Sequence, residues 1–285
     1  TPQLLPVIIS VNLSHGAKRM AQQKVIVKRL ASIENFGSMN VLCSDKTGTL
    51  TEGTMRLQAA LDLEGLPSER VLFHAVLNAT YETGFINPLD EALRTRCVAD
   101  LSGYRKLDEV PYDFLRKRLS ILVATPTTHL LITKGAVEPM LTVCTSAELP
   151  EGTTVPIGER SEKIQRQFQD LNRQGLRTLG LAYRDMGEAP HIDKTHEAAM
   201  TFLGLLVFAD PIRSDVTDTI TALRQLGVSL KIITGDHRLV AAHVSQQVGM
   251  DHQRILTGQD LRQMADEALL QRVNDIDVFA EVEPN

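Results

Sequence analysis

The chain has 285 residues, 43% hydrophobic and 23% charged. These are ordinary values for a globular protein, in a chain longer than one compact domain usually needs. A net charge of -5 supplies no dense basic face and argues against a nucleic-acid role. Cys43, Cys97 and Cys144 are scattered without a CxxC pair, which argues against a disulfide framework or thiolate metal site and for reduced cytosolic thiols.

In chain order, Leu4 to Leu13 is an apolar stretch about half the length of the roughly 20 residues that a bilayer span needs. Lys18, Arg19, Lys24, Lys28 and Arg29 follow it. Two readings stay open: the cytoplasmic edge of a membrane helix, or a short core helix. No signal peptide is visible, and both ends read as cut. Short apolar runs then predict strands at 25–27, 41–43, 203–208, 230–233 and 276–280. They are continuously apolar rather than alternating, which predicts a parallel sheet covered on both faces. Ser214 is expected to cap a helix whose apolar stripe is Val216, Ile220, Leu223 and Leu226. Asp236 is expected to cap another that carries Val240, Val244 and Val248. The fold expected at both ends is α/β, a doubly wound parallel sheet, which binds ligands outside the carboxyl ends of its strands.

Residues from about 55 to 203 break this rhythm. Helices are expected near 68–79 and 91–98, and from Ser161, with Ile164, Phe168 and Leu171 inward. Strands are expected at 119–123, 129–133 and 177–183, and a mobile surface loop at 186–195. The expected organisation is residues 1–22 as a leading segment (on the first of the two readings above, a membrane-helix end and stalk), 23–54 as the first part of the α/β domain, 55–203 as an inserted α+β domain, and 204–285 as the second part of the α/β domain.

The run Asp45-Lys46-Thr47-Gly48-Thr49-Leu50-Thr51 directly follows the second apolar strand. A strand-end aspartate can attack a phosphoryl group and carry it as an acyl-phosphate. Gly48 permits a tight turn, and Thr47, Thr49 and loop N–H groups can hold phosphate oxygens. Asp210 and Asp236 stand at two other expected strand ends, and three converging carboxylates call for a cation. His237 and His243 fall on an expected helix, where packing or solvated roles are the plainer reading.

This seven-residue run matches the phosphorylation signature of the P-type ATPases, and the chain resembles that family over essentially its whole length. The resemblance extends to the wider haloacid-dehalogenase-like superfamily in fold. It implies that Asp45 is phosphorylated, with Lys46 in the same catalytic loop, and that Thr47 gives a carbonyl to Mg²⁺ and a hydroxyl to the phosphate. The metal ligands implied are thus Asp45 and Thr47. Thr234-Gly235-Asp236 resembles the family's TGD loop, which holds phosphoryl oxygens, and Asp210-Pro211-Ile212-Arg213 its DPxR segment, which lies beside that site and the nucleotide. Lys134-Gly135-Ala136 resembles the KGA motif of the nucleotide-binding domain. The segment from Pro111 to Ser120 is similar to the adenine-site strand, with Tyr112 in the stacking place and Lys117 in the basic one. Core packing is the alternative role for Tyr112 and Phe114. Arg177 matches an arginine that contacts nucleotide phosphates, and Asp90 or Glu91 would make the acidic adenine contact.

Dehalogenase-like phosphatases usually carry a second Asp two residues after the nucleophile, and here that position is Thr47. Water beside the acyl-phosphate is then poorly activated, which suits a pump rather than a fast phosphatase. The segments 1–6, 23–28, 33–37, 172–177 and 239–242 look closest to the magnesium-transporting branch, and a calcium pump is the alternative. The resemblance implies a multi-pass parent at the cytoplasmic face of the plasma or inner membrane. Its partners would be ATP, the transported cation and an actuator domain of the same chain. In the family, a lysine and a GDGxND loop come after the segment that matches 279–284. Without them this chain is expected to bind ATP weakly and turn over little. A soluble phosphatase with a large cap, or a nucleotide-binding module without chemistry, are the readings from other classes.

Overall fold

The computed structural model describes residues 4–84, 87–96, 100–250 and 254–282. Cys97, the expected helix end at Val98 and the terminal residues 283–285 lie outside them. The chain opens with helices α1 (Leu4–Gln22) and α2 (Ser32–Phe36), then β1 (Val41–Asp45) and β2 (Arg56–Leu61). Helices α3 (Glu69–Tyr81) and α4 (Pro88–Arg96) precede the strands β3 (Arg105–Asp113), β4 (Arg118–Ala124) and β5 (His129–Ala136). Next come α5 (Val137–Leu141), β6 (Cys144–Glu148), β7 (Thr154–Pro156), α6 (Ser161–Arg173), β8 (Arg177–Asp185) and β9 (Met200–Ala209). The chain continues through α7 (Val216–Gln225), β10 (Ser229–Ile233), α8 (Arg238–Gln247) and β11 (Ile255–Thr257), then α9 (Gly258–Gln263), α10 (Asp266–Arg272) and β12 (Val278–Ala280).

Two sheets result. The first is parallel, in the order β1-β10-β12-β11. Val216 and Ile220 of α7, Ala241 of α8 and Val248 just after it pack with Leu230, Ile232 and Val278 into its core. Asp45 pairs in register with Ile233, so the ends of β1 and β10 lie side by side at one edge, as expected of a doubly wound sheet.

The second sheet is mostly antiparallel, in the order β3-β4-β5-β8-β9-β6-β7, with β2 also pairing β9. Its two faces carry separate cores. Ala75, Leu77 and Leu93 of α3 and α4 cover Ile121, Ile132 and Leu206 on one side. Val137, Met140, Ile164 and Phe168 of α5 and α6 cover Leu122, Leu131 and Phe202 on the other. Ser68 caps α3 by accepting the Val71 N–H at 3.3 Å.

Several expectations need correction. Leu203–Phe208 forms part of β9, which pairs antiparallel with β2 and β8 in the mixed sheet. Helices cover both faces of that antiparallel sheet, so its central strand is as continuously apolar as a parallel one. Val25–Val27 is not a strand, and Ile26 there is 84% exposed. The backbone from Val41 already fills the β1 position beside β10. Ser214 does not cap α7: Asp215 occupies that place without a side-chain cap bond, and Leu226 is exposed. His237, not Asp236, caps α8, its Nδ1 accepting the Leu239 N–H at 3.2 Å. The 186–195 segment is tied down, with Ile192 buried and its N–H donated to Asp108 at 2.9 Å. Along α1 no residue is buried, and no helix among the described residues is long and apolar enough to cross a membrane.

Gly204 shows how closely β2 and β9 meet. A Cβ there would stand 2.1 Å from the Leu61 carbonyl oxygen and 2.7 Å from Val71 Cγ2. Backbone cannot yield as a side chain does, so Gly204→Ala is expected to cost about 1–3 kcal/mol. Urea unfolding of the variant checks this; an unchanged midpoint would show that the two strands part easily.

Candidate functional site

The turn after β1 is built around one buried ammonium. Lys46 Nζ lies 3.2 Å from Asp210 Oδ2 and 2.5 Å from Asp236 Oδ2, and all three side chains are 5–6% exposed. Asp210 also accepts the Thr51 hydroxyl at 2.7 Å and the Gly53 N–H at 3.2 Å. The backbone is laced in parallel: Glu52 N–H donates to Pro211 O at 2.8 Å and Arg213 N–H to Leu50 O at 3.1 Å. Gly48, at φ +75°, takes the left-handed conformation that lets the turn close. The cation called for by the three aspartates is, for Asp210 and Asp236, Lys46 itself. Among the described residues no cluster of three or more His, Cys, Asp or Glu could hold a metal.

Burial of Lys46 leaves Asp45 facing outward. Its carboxylate is exposed, and Oδ1 accepts the Thr47 N–H at 3.4 Å. Asp45 and Thr47 open onto a cleft of about 610 Å³ whose lining also includes Thr234, Gly235, Asp236, Tyr112, Lys117, Lys134, Gly135 and Arg177. Ten of the thirteen site residues expected from sequence therefore share one cavity. The other three do not line it: Lys46 lies beneath the turn, Asp210 is spent on the 46–53 loop, and Arg213 is exposed and paired to Asp215 at 3.2 Å. Asp210, expected beside the phosphoryl site and the nucleotide, lies against the 46–53 turn, while the Arg213 side chain is turned to the surface.

The glycines of the two motifs serve different ends. At Gly235 an added Cβ would meet only Val282 O at an ordinary 3.5 Å, so internal packing does not demand glycine there. At Gly135 it would meet Arg118 Cβ at 2.4 Å and Lys117 O at 2.6 Å. Close packing of β5 on the Lys117–Arg118 backbone thus demands glycine at 135.

At the far end of the cleft, Tyr112 and Phe114 meet edge to face at 5.6 Å. Phe114 is 66% exposed, so these rings form an open wall and not core. The hairpin carrying them is held by Glu197, buried among three donors: Arg116 Nη1 at 2.5 Å, Arg118 Nε at 2.8 Å and the Ser120 hydroxyl at 2.7 Å. Lys134 is ion-paired with buried Asp90, with Glu82 Oε2 3.7 Å away. Burial, then the hydrogen bond with Asp90, pushes the Glu82 carboxyl up to about 7 against the pull of the Lys134 ammonium. Arg177 Nη1 stands 3.8 Å from Asp236 Oδ1. Sequence reasoning missed the lining residues Asn87, Phe168, Asn172, His237 and Glu281. Only His237, next to the Thr234–Asp236 loop, carried a positional signal. Glu82 and Glu197 had none, since nothing in sequence marks a carboxyl as buried.

A strand-end aspartate on a doubly wound parallel sheet, with a mixed sheet inserted after it, is the haloacid-dehalogenase-like arrangement. Within that class, residues 32–215 match the family model described as P-type ATPase, cytoplasmic domain N, and the chain belongs to that family. It is 39% identical over 295 residues to "Magnesium-transporting ATPase, P-type 1" of Salmonella typhimurium and equally to the protein of that name from Escherichia coli. All of this chain and 32% of each relative are covered, so the chain spans about a third of their length. A "Calcium-transporting ATPase" of Bacillus subtilis is 28% identical over 330 residues, with 99% of this chain and 37% of the relative covered.

Removing Asp210 takes one of two carboxylates from the Lys46 ammonium and leaves the Gly53 N–H without its acceptor. Asp210→Ala is expected to cost about 3–5 kcal/mol, as for other broken buried pairs, whereas Arg213→Ala on the surface should stay within about 0.5 kcal/mol. Thermal unfolding of both variants checks the contrast. Equal losses would contradict the supporting role assigned to Asp210.

Proposed function

We propose that this chain is the phosphorylation and nucleotide-binding part of an ATP-driven cation pump in which Asp45 takes the γ-phosphoryl group of ATP. The observation that carries the reading is the single cleft that joins exposed Asp45 to Tyr112, Lys117, Lys134 and Arg177. The adenine stacks at the Tyr112 end, and the phosphates run past Lys117 and Arg177 toward Asp45. One Asp45 oxygen attacks the γ-phosphorus as the bond to the β–γ bridging oxygen breaks, and ADP leaves with those electrons. Thr47, Thr234 and the Gly235 N–H orient the phosphoryl oxygens. Lys46 takes no part in contact; it fixes the turn and offsets part of the charge of the two carboxylates beside Asp45.

The donor set suits Mg²⁺, which is bound by one or two carboxylates plus substrate phosphates and keeps several waters. The Asp45 carboxylate and Thr47 carbonyl would hold it, and it would neutralise charge on the transferred group. Thr47, where a phosphatase would carry a carboxylate, favours a lasting acyl-phosphate. The transported cation proposed is Mg²⁺, supported by 39% identity to the magnesium-transporting relatives against 28% to the calcium-transporting one. The parent would be a multi-pass protein with this part on the cytoplasmic face, working with an actuator domain of the same chain. The nucleotide-binding unit would be the mixed sheet with its helices, from β2 to β9, so that its end falls at Ala209 rather than at 203.

The full-length protein incubated with γ-labelled ATP should acquire a hydroxylamine-labile label that Asp45→Asn abolishes; label surviving that substitution refutes the assignment. For the nucleotide end, titration calorimetry with ATP should show weakening of about tenfold or more in Tyr112→Ala, given that a base–aromatic stack contributes about 1–3 kcal/mol. Unchanged affinity would remove the adenine from that wall.

A further inference from the structure

Beneath the nucleotide end lies a group the proposed chemistry does not use. Glu82 follows α3 directly, as its C-cap residue, and its side chain is 13% exposed. It shares a buried site with Asp90 of α4 and Lys134 of β5, whose side chains are 1% and 3% exposed. Lys134 lines the cleft. Its ammonium is bound to Asp90 Oδ1, with Glu82 Oε2 further off at 3.7 Å. Glu82 Oε2 and Asp90 Oδ2 are both buried with no hydrogen-bond donor among the described residues. Both carboxyl groups lie against the one Lys134 ammonium, and two carboxyl groups so placed can bond to each other only through a proton.

The other charges around Glu82 do not replace that proton. Arg94 of α4 is directed to the Ala79 carbonyl, which its Nε meets at 2.7 Å. On β3, Glu109 accepts from the neighbouring Thr83 N–H at 3.1 Å and from Lys106 at 2.5 Å, so these two satisfy each other. If Glu82 ionises, two buried carboxylates compete for one ammonium. Lys134 is then held inward between them, and a negative charge is added under a cleft read as binding a polyanion. With one proton on the pair, Lys134 answers only to Asp90.

We propose that Glu82 is a positioning residue for the nucleotide site, holding one proton against Asp90 so that Lys134 can face the ligand. The proposal rests on the reading of this cleft as an ATP site. It predicts that ATP binding takes up a proton near neutral pH, consistent with the elevated Glu82 carboxyl. The protonated form binds, so affinity is full below about pH 7 and falls by up to about tenfold per pH unit above it.

The test is ATP titration of the chain from about pH 6 to about pH 8.5, compared with Glu82→Gln and Glu82→Ala. The difference between wild type and variant cancels the titration of the nucleotide's own phosphate. Glutamine is a permanently neutral donor of nearly the same shape. Glu82→Gln should therefore keep the wild-type affinity at pH 6 and lose the slope, so that above pH 8 it binds about tenfold more tightly than wild type. Glu82→Ala should bind weakly throughout. The inference is overturned if Glu82→Gln keeps the wild-type slope, or if it is as weak as Glu82→Ala at pH 6. A pH-independent affinity that Tyr112→Ala still reduces overturns this inference and leaves the ATP reading standing. Absence of ATP binding at every pH overturns both.

Discussion

The Lys46 ammonium holds together three parts of the chain that are far apart in sequence. It belongs to the turn after β1, and it binds Asp210 just past β9 and Asp236 just past β10. Arg177 of β8 approaches Asp236 from the other side at 3.8 Å. The result is a line of alternating charges, Arg177–Asp236–Lys46–Asp210, running from the mixed sheet into the parallel one. Burying such charges is costly, and removing any one leaves its partners uncompensated. Their value here is geometric, because they fix the direction in which Asp45 leaves the sheet.

The same economy appears at the other end of the cleft. Glu197 organises Arg116, Arg118 and Ser120 behind the aromatic hairpin. Asp90 and Glu82 organise Lys134 beneath it. In each case a buried carboxyl positions cationic or aromatic groups that line the cleft. Contacts between the two units are close as well: Phe168 of α6 meets the His237 ring edge to face at 5.2 Å, and His243 of α8 sits where a Cβ of Gly175 would be.

Much of this was legible in sequence, for identifiable reasons. Strand-end motifs are local, so Asp45, Thr234, Gly235 and Asp236 were found at the carboxyl edge of one sheet. Ser68 before an apolar helix gave a true boundary. Failures came where tertiary context decides. β9 read as parallel because helices cover both its faces, and hydrophobic continuity reports burial, not strand direction. Asp236 and Ser214 fitted the residue preferences for capping, but Asp236 is taken by Lys46 and the α7 start has no side-chain cap. Asp210 and Arg213 do not line the cleft, because that segment turns back onto the 46–53 loop. Pairings across 44 to 164 residues leave no periodic trace, so the carboxyls at 82 and 197 could not have been singled out.

The central claim is that one ligand spans the cleft from the aromatic wall to Asp45. A crystal structure of the chain with a non-hydrolysable ATP analogue and Mg²⁺ tests it most directly. The account predicts the adenine against Tyr112 with Lys134 below it, and the γ-phosphate facing the Asp45 carboxylate. An analogue seated elsewhere, or one with its γ-phosphate turned away from Asp45, would contradict it.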